Sequence, residues 1–387
     1  MSRVALILLA VIVVSAADEA LLNFGKGNID FTAKSYQKEA QKQKGNLLVC
    51  GISAEIVLSL LAQGAKHRTK TELHQALSED DTSLTAYRQL TPRLNQNEDD
   101  FKLLSANKLY AAEGFEIEDD FKRVAEDPYK AQIQTVNFAE NLKTTGLINN
   151  WVADNTNQKI TDLISPDQLS ANTRLVLVNA LYLNGLWEIP FEKLLTKKQA
   201  FHPSEQESKE IDMMTVEGNF RYRHCGFYKA QFLEMGLRHA NLSFVIVLPD
   251  AHDGLADLES KLDGLLEVRN LNVSRLAVTI PKFTIRSKID YRDILEKLGV
   301  FSVFQDDANL SGISRKEGLR VDFVVQQTYI NVTEGGIEAA AATAVGTVRT
   351  TSLYPSSAMI FRADRPFIFF IRENQSGTIL FVGKFTE

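Results

Sequence analysis

Histidine and cysteine often carry enzyme chemistry, and this chain has six histidines and two cysteines. The histidines are His67, His74, His202, His224, His239 and His252. None of them forms an H-E-x-x-H motif or the Cys/His spacing of a zinc site. The chain also lacks a G-x-S-x-G elbow, a phosphate-binding loop and a G-x-G-x-x-G turn. The sequence therefore predicts a protein that is not an enzyme and that holds no metal.

The segment Glu334–Val345, which reads EGGIEAAAATAV, combines conformational freedom with small side chains. Gly335 and Gly336 permit backbone angles that other residues avoid, and the small or β-branched residues after them suit a strand. Side chains of a strand alternate between its two faces. One face would carry Ile337, Ala339, Ala341, Thr343 and Val345, and the other Glu338, Ala340, Ala342 and Ala344. If the first face meets the core, Glu338 stays outside and its charge avoids burial.

Composition is that of an ordinary globular protein. The 387 residues are 44% hydrophobic and 24% charged, which is enough to bury a sizeable core. The formal net charge of −6 gives no overall basic field, so nucleic acid is not an expected partner. Beyond the N-terminus, no linker or repeat interrupts the sequence.

The first residues have the three-part pattern of a secretory signal peptide. Arg3 precedes the apolar run Val4–Val14, and small residues follow at 15–17. The run is shorter than the ~20 apolar residues of a membrane span. We predict a signal peptide over residues 1–16, cleaved after residue 16 or 17, and a secreted, extracellular protein with no membrane partner. A buried N-terminal helix is the alternative.

Secretion allows disulfides and N-linked glycans. Cys50 and Cys225 lie far apart in apolar contexts, so two buried thiols are favoured over a disulfide. An Asn-x-Ser/Thr sequence is an acceptor only where it is exposed. Asn331 is discounted because it lies in an alternating, strand-like run. The candidate glycosylation sites are Asn241, Asn272, Asn309 and Asn374.

Apolar periodicity predicts helices mainly in the first half and strands mainly in the second. The expected helices are Leu21–Gln43, Ser53–Gln63, Thr69–Ser78, Leu142–Thr156 and Tyr291–Leu298. The expected strands are Phe101–Tyr110, Arg174–Leu183, Ser243–Leu248, Leu276–Ile280, Asp322–Thr333, Pro366–Ile371 and Thr378–Phe385. Ser53 and the T-K-T-E run from Thr69 are expected to cap their helices. The absence of regular strand-helix alternation predicts an α+β fold.

Several segments together resemble the serpin family of serine protease inhibitors. FRADRPFIFFIR (Phe361–Arg372) is close to the family signature F-x-A-D-H/R-P-F-x-F-x-I-R, and VNALYLNGLWEIPF (Val178–Phe191) matches its strand and Trp turn. PKFTIRSKIDYRDILEKLGVFSVF (Pro281–Phe304), NLSGIS (Asn309–Ser314) and the run TYINVTEGGIEAAAATAV also match. The matches follow the family order from about Asn46 to the end.

The resemblance implies a single domain over residues 17–387, with three β-sheets, eight or nine helices and an exposed C-terminal reactive-centre loop. Hinge and loop together would cover residues 334–360. In the family, a protease attacks one bond of this loop. The cleaved loop then inserts into the main sheet as a new strand and carries the tethered protease away before deacylation. The native state is therefore expected to be metastable and each molecule to act once.

The resemblance identifies the hinge as the part that swings and inserts. Its residues are Glu334, Gly335, Gly336, Ile337, Glu338, Ala339, Ala340, Ala341, Ala342 and Thr343. Ile337 departs from the family, which usually has Thr or Ser at the first insertion position. This bulky residue is expected either to slow insertion or to favour partial insertion in the native state, and inhibition is expected to survive.

The family usually places the attacked residue sixteen positions after the hinge glutamate, which gives Thr350. Arg349 lies one residue before, and trypsin-like proteases require a long cation at that position. Counting back from the C-terminal signature leaves the loop length ambiguous by two or three residues. We predict cleavage of the Arg349–Thr350 bond. The alternative is the Thr350–Thr351 bond with an elastase-like target, while Tyr354 would suit a chymotrypsin-like enzyme.

In the family, a polar cluster under the main sheet controls its opening. Ser53 and Asn179 match two members of that cluster. Gln326 replaces the usual histidine, so it can hydrogen-bond but cannot titrate near neutral pH. Trp187 and Glu334 match positions that brace the top of the sheet.

Some family members are activated by heparin through a basic helix. The corresponding segment Ala86–Asn95 offers only Arg88 and Arg93, which is a poor match. The KLLTKK run at Lys193–Lys198 could bind a polyanion weakly. No cofactor is therefore expected, and a heparin-like glycosaminoglycan is the one candidate.

The sequence as a whole predicts a monomeric suicide inhibitor that forms a covalent 1:1 complex with a trypsin-like extracellular serine protease. One alternative is an inhibitor of an elastase-like or chymotrypsin-like protease. Another is a non-inhibitory family member that serves storage, transport or chaperoning. The alanine-rich hinge favours an inhibitor, because non-inhibitory hinges often carry charged, bulky or proline residues.

Overall fold

A computed structural model describes residues 16–79, 83–98, 100–338 and 358–387, with side chains from residue 19 onward. These residues contain nine α-helices and three short 3-10 helices. The α-helices are α1 (Ala16–Lys42), α2 (Gly51–Gly64), α3 (His67–Leu77), α4 (Ser83–Arg93), α5 (Asp119–Glu126), α6 (Asn141–Asn155), α7 (Leu255–Ser260), α8 (Leu262–Leu266) and α9 (Arg292–Lys297). The 3-10 helices are Pro166–Gln168, Lys193–Leu195 and Ser302–Phe304. None of the described helices has the length and apolar character needed to cross a membrane.

Sixteen strands are present in the same residues. They are β1 (Leu47–Val49), β2 (Asn95–Asn97), β3 (Phe101–Ala112), β4 (Ala131–Val136), β5 (Leu175–Leu186), β6 (Lys197–Ser204), β7 (Glu207–Cys225), β8 (Ala230–Gly236), β9 (Leu242–Pro249), β10 (Asn272–Pro281), β11 (Phe283–Asp290), β12 (Val321–Val332), β13 (Gly336–Ile337), β14 (Met359–Arg362), β15 (Phe367–Glu373) and β16 (Ile379–Phe385).

One sheet has the order β1-β16-β15-β9-β8-β7-β10-β14, with β6 paired to β7. The 19-residue strand β7 pairs with β6 and β10 over most of its length and with β8 through Arg221–Cys225. This long strand joins what would otherwise be two sheets. The expected count of three sheets is therefore seen as two hydrogen-bonded sheets among the described strands.

The other sheet, here called the main sheet, has the order β11-β12-β13-β5-β3-β2, with β4 paired to β3. Helix α2 lies between the sheets, in contact with β5 and β16. Almost every residue of α2 is buried, so its sequence is apolar on all sides instead of on one stripe. The helices and strands expected from periodicity all lie at the positions of observed elements of the same type.

Two expected helix caps are absent. Helix α2 begins at Gly51, two residues before Ser53, and its N-cap residue Cys50 makes no side-chain capping bond. Helix α3 begins at His67, so Thr69 lies inside it. The Thr69 hydroxyl instead accepts a hydrogen bond from the Asn309 amide at 3.1 Å. The caps fail because both helices start earlier than their apolar spacing indicates.

Both cysteines are free and buried, as the sequence predicts.

Candidate functional site

The hinge enters the main sheet between β5 and β12. Gly336 and Ile337 pair antiparallel with Leu186 and Gly185 of β5, and Ile337 also pairs with Val332 of β12. The segment therefore occupies a strand position over two residues. Ile337 is only 1% exposed, so the bulky side chain at this position is buried in the hydrophobic core. This geometry corresponds to partial insertion, which is one of the two outcomes expected for Ile337.

Below the hinge, β5 and β12 are separate for part of their length. At the far end they pair directly in parallel, and this pairing stops at Asn179 and Gln326. The hinge pairing begins only at Gly185 and Val332. Between these points no strand of the described chain joins β5 to β12. The interval is a strand position flanked on both sides by ordered strands, because β5 also pairs with β3 and β12 with β11.

Gly336 is required by a close backbone approach. A Cβ atom at this position would lie 1.9 Å from the carbonyl oxygen of Gly185 and 2.8 Å from the Cα atom of Leu186. Both neighbours are backbone atoms of β5, which cannot move aside as a flexible side chain could. Any residue other than glycine would therefore push the hinge out of its pairing with β5.

Glu334 fixes the hinge to the top of the sheet. Its carboxylate accepts hydrogen bonds from Thr196 Oγ1 at 2.9 Å and Lys282 Nζ at 3.0 Å, and its carbonyl accepts one from the Phe191 amide at 2.9 Å. Burial raises the pKa of Glu334, but its own backbone amide, Lys282 and Thr196 hydrogen-bond the carboxylate and lower the pKa overall. The bound form is thus the ionised carboxylate.

Trp187 braces the backbone on both sides of Glu334. Its indole Nε1–H donates to the carbonyl of Thr333 and its amide to the carbonyl of Gly335, both at 2.9 Å. The ring is fully buried and packs edge-on against Phe244, with 5.6 Å between centroids. We call Glu334, Thr196, Lys282 and Trp187 the hinge anchor.

Glu338 ends the described part of the hinge in a left-handed conformation, with φ of +52°. Its amide donates to the carbonyl of Asn331 at 2.6 Å, and its carbonyl accepts from Asn184 Nδ2 at 3.0 Å. Its carboxylate lies 2.8 Å from Lys159 Nζ. Burial raises the pKa of Glu338, although Lys159 and Arg286 lower it. We call Glu338 and Lys159 the hinge latch.

The expectation that the charge of Glu338 avoids burial does not hold, because the turn that carries Lys159 covers this face and only 6% of the side chain is exposed. Lys159 contacts Tyr329, which lies three residues from Gln326 on β12. Glu338 therefore meets Lys159 on the sheet face opposite Gln326 and Ile337, as alternation predicts. A residue with a Cβ avoids the left-handed backbone region at a cost of roughly 1 kcal/mol. Extension of the hinge as a regular strand requires that Glu338 leave this conformation.

Asn107, Asn179 and Gln326 lie side by side beneath the sheet, on the adjacent strands β3, β5 and β12. Gln326 Nε2 donates to the Cys50 carbonyl at 2.9 Å, and its Oε1 accepts from Tyr291 OH at 3.3 Å. Asn179 Nδ2 donates to Asn107 Oδ1. Gln326 thus ties β12 to the start of α2, while Asn179 ties β5 to β3.

Asn179 Oδ1 is buried and has no hydrogen-bond partner among the described atoms. Leaving such an acceptor unpaired costs roughly 1–3 kcal/mol. Ser53 is also fully buried and lies beside Cys50. Burial raises the pKa of the Cys50 thiol to about 12, although hydrogen bonds with the Ser53 backbone and hydroxyl lower it. Ser53 is therefore buried beside Cys50, to which Gln326 binds, and Asn179 Oδ1 can accept one further donor.

Comparison with known proteins identifies the family. The family model described as "Serpin (serine protease inhibitor)" matches residues 26–387. This chain belongs to the serpin family. It is 31% identical to human Serpin B3, over 94% of this chain and 99% of that protein, and 31% identical to Antichymotrypsin-2 of Bombyx mori, over 93% and 96%. Among solved structures it resembles Serpin48 of the insect Tenebrio molitor, with TM-score 0.87, 34% identity and coverage of 96% and 99%.

Several residues of this serpin site carry no signal in the sequence. Thr196, Lys282 and Lys159 bind the two hinge glutamates from segments far away along the chain. Only Lys282 lies within a stretch that matches the family, because it follows Pro281. The structure brings Ser53, Asn179, Gln326, Trp187 and Glu334 to the two ends of the open interval. The predicted residues Ala339–Thr343, Arg349, Thr350 and Thr351 lie outside the described residues.

The other surface residues of interest are distributed around the serpin. Asn241, Asn272 and Asn374 are exposed and Asn309 is half-buried. Arg88 Nη2 lies 3.8 Å from Asp127 Oδ2, and Arg93 Nη1 lies 3.8 Å from Glu373 Oε1. Lys193, Lys197 and Lys198 are exposed beside Thr196 of the anchor.

Proposed function

We propose that this serpin is an irreversible inhibitor of a trypsin-like serine protease, which it traps by inserting the cleaved reactive-centre loop between β5 and β12. The observation that carries the proposal is the open strand position below a hinge that already occupies its first two residues. Each further residue of the loop that inserts would pair with β5 on one side and with β12 on the other. The small side chains of Ala339–Ala342 suit passage between two packed strands.

The register of the hinge gives the proposal a second support. Ile337 pairs with Gly185 on one side and Val332 on the other. Continued without a slip, both antiparallel registers bring Thr343 between Asn179 and Gln326. Thr343 would share the buried face of Ile337, because the two residues are separated by an even number of positions. Its hydroxyl could then donate to the unpaired Asn179 Oδ1.

The reaction begins as ordinary proteolysis. The protease serine hydroxyl attacks the carbonyl carbon of Arg349, the bond to Thr350 breaks, and the serine proton passes through the protease base to the departing amine of Thr350. An ester then joins the protease serine to Arg349. Water would normally hydrolyse this ester. Loop insertion moves the esterified protease away from its docking position before that step.

The choice of a trypsin-like target rests on Arg349. A long cation at the attacked position fits an acidic specificity pocket. The name of Antichymotrypsin-2 refers to a different protease, which agrees with the alternative site at Tyr354. The candidate target classes therefore predict cleavage at different bonds.

Bovine trypsin is the first probe. We expect a 1:1 complex that survives SDS, together with a released C-terminal peptide that starts at Thr350 by mass spectrometry. Elastase and chymotrypsin are the next probes. A complex with elastase that releases a peptide starting at Thr351 would support the elastase-like alternative, and one with chymotrypsin that releases a peptide starting at Pro355 would support the chymotrypsin-like one. Complete cleavage of the loop by all three proteases without any stable complex would disprove inhibition and favour a non-inhibitory serpin.

Two adjacent charge substitutions test insertion itself. Thr343→Glu would bury a carboxylate between Asn179 and Gln326 on the inner face, whereas Ala344→Glu would place it on the opposite face. We expect Thr343→Glu to convert most of the protein into a substrate that is cleaved and releases active trypsin. Ala344→Glu is the matched control and should retain most of the complex. Equal loss in both variants would contradict the register.

We also propose that the protein is secreted and glycosylated. The N-terminal pattern supports secretion, and the exposure of Asn241, Asn272 and Asn374 suits glycan attachment. A polyanion site at Lys193, Lys197 and Lys198 is supported by their exposure. Elution from a heparin column at low salt would argue against that site.

A further inference from the structure

We propose that Lys159 is a positioning residue that arrests the hinge after two inserted residues by binding Glu338. The inference deepens the proposed function and rests on it, because arrest matters only if the rest of the loop inserts later. Lys159 lies outside the hinge, in the turn that follows α6. The contact joins the end of this helix to the point where strand formation stops.

The turn after α6 is shaped to present Lys159. Two consecutive residues, Asn157 and Gln158, have left-handed φ values of +49° and +60°. The Gln158 amide donates to the Ala153 carbonyl at 2.8 Å, and the Lys159 amide donates to the Thr156 carbonyl at 3.0 Å. Two left-handed residues in succession are uncommon outside glycine, so this turn holds a conformation that needs support from its surroundings.

A second contact path connects the same turn to the hinge. Asn157 Nδ2 donates to Tyr182 OH at 3.2 Å, and Asn184 Nδ2 lies 3.5 Å from the same hydroxyl. Asn184 Nδ2 also donates to the carbonyl of Glu338 at 3.0 Å. The turn therefore contacts the carboxylate of Glu338 directly through Lys159 and its backbone indirectly through Tyr182 and Asn184. It acts on the hinge through hydrogen bonds that position the hinge backbone as well as through the charge of Lys159.

The surroundings of Lys159 favour Glu338 as its partner. The ammonium lies 5.7 Å from the ring centroid of Tyr329, and the Arg286 guanidinium lies 5.0 Å from the same centroid. Among the described residues, Glu338 is the acidic side chain with which Lys159 forms an ion pair. Withdrawal of the hinge would separate this pair, and extension of the strand would require Glu338 to leave the left-handed conformation in which the pair forms. The pair thus opposes motion in both directions.

The test uses Trp187 as a reporter of hinge position, because its indole and amide bind hinge carbonyls. Trp151 is the only other tryptophan, so a Trp151→Phe background leaves Trp187 as the sole source of tryptophan emission. In this background we compare Lys159→Met, which keeps length and removes charge, with Lys159→Arg, which keeps charge. Lys143→Met is the matched control, since Lys143 lies on α6 and is 78% exposed.

We expect Lys159→Met to shift the Trp187 emission before any protease is added. We also expect it to raise the association rate constant with trypsin by about threefold to tenfold, because more molecules have a free hinge. Lys159→Arg should restore both values, and Lys143→Met should change neither. Unchanged emission in Lys159→Met, or failure of Lys159→Arg to restore it, would overturn the inference.

The emission measurement does not depend on inhibition. If the parent protein forms no complex with trypsin but Lys159→Met still shifts the emission, the proposed function fails while the arrest of the hinge stands. If the parent traps trypsin and the emission of Lys159→Met is unchanged, the arrest fails while the proposed function stands.

Discussion

The anchor and the latch of the hinge each place one glutamate beside a lysine, yet the two sites act on the carboxylates in opposite directions. Both glutamates are buried, with 5% exposure for Glu334 and 7% for Glu338. The pKa of Glu334 is lowered, because three donors outweigh the burial that raises it. The pKa of Glu338 is raised by burial, which Lys159 only partly offsets.

This contrast separates a permanent attachment from a breakable one. Glu334 is held by donors from two segments of the fold, and its backbone neighbours are bound by Trp187. Glu338 is in a left-handed conformation, and among the described residues its carboxylate is bound by the Lys159 ammonium alone. Its backbone bonds to the Asn184 side chain and the Asn331 carbonyl. A hinge that must stay attached at its start and later extend at its end requires this asymmetry.

Loss of the pairing between Gly336 and β5, which lies between the anchor and the latch, should have the largest effect on stability. Gly336→Ala places a methyl group 1.9 Å from the Gly185 carbonyl oxygen, so the hinge cannot pair with β5. Overpacking of this kind costs about 1–3 kcal/mol, and the pairing that positions Glu338 is lost as well. We expect a lower midpoint of thermal unfolding and a shift of Trp187 emission.

Gly146→Ala is the matched control for this substitution. A Cβ at Gly146, within α6, would meet no atom within 4 Å. The exchange should leave the Trp187 emission unchanged and raise stability slightly, by up to about 1 kcal/mol. If Gly336→Ala behaves like this control, the close approach of the hinge to β5 is not present in solution.

The sequence predicts the anchor better than the latch, and the reason is physical. Glu334 and Trp187 stand in runs with a strong family pattern, and alternation correctly buries Ile337. Alternation also places Glu338 on the face opposite Ile337, but it does not predict that the turn with Lys159 buries the carboxylate or that Asn184 binds its carbonyl. Such contacts come from distant segments and leave no periodicity. The three sheets implied by the family resemblance are seen as two hydrogen-bonded sheets, because the 19-residue strand β7 joins two of them.

Replacing each glutamate by glutamine compares the anchor with the latch, and its effect on stability should be the second largest. Glu334→Gln weakens charge-assisted hydrogen bonds from Thr196 and Lys282, for which we expect a loss of about 1–3 kcal/mol in the free energy of unfolding. Glu338→Gln removes a charge whose burial is already unfavourable, so its loss should be below about 1 kcal/mol. Chemical denaturation of both variants gives the comparison. A greater loss in Glu338→Gln would reverse the assignment of anchor and latch.

The smallest expected effect is in the pH dependence of stability, where the two glutamates should differ in sign. The lowered pKa of Glu334 means that its stabilisation is complete above the ordinary value of 4.5 and is lost as pH falls through the lowered pKa. The raised pKa of Glu338 means that its contribution is complete below 4.5 and is lost as pH rises through the raised pKa. As pH falls from neutral toward 4.5, the wild-type protein should therefore gain stability relative to Glu338→Gln.

Over the same interval the wild-type protein should keep a constant advantage over Glu334→Gln, and that advantage should shrink only below pH 4.5. Thermal midpoints of the three proteins across this range measure both differences. Lys159 and Arg286 are the basic groups that act on Glu338, and Tyr329 and Tyr182 lie near Lys159. The hydrogen bond with Glu338 raises the pKa of Lys159, so this lysine does not imitate the titration of Glu338. Parallel pH profiles for the two variants would mean that both glutamates are held alike, and the hinge would then have no weaker end from which to extend.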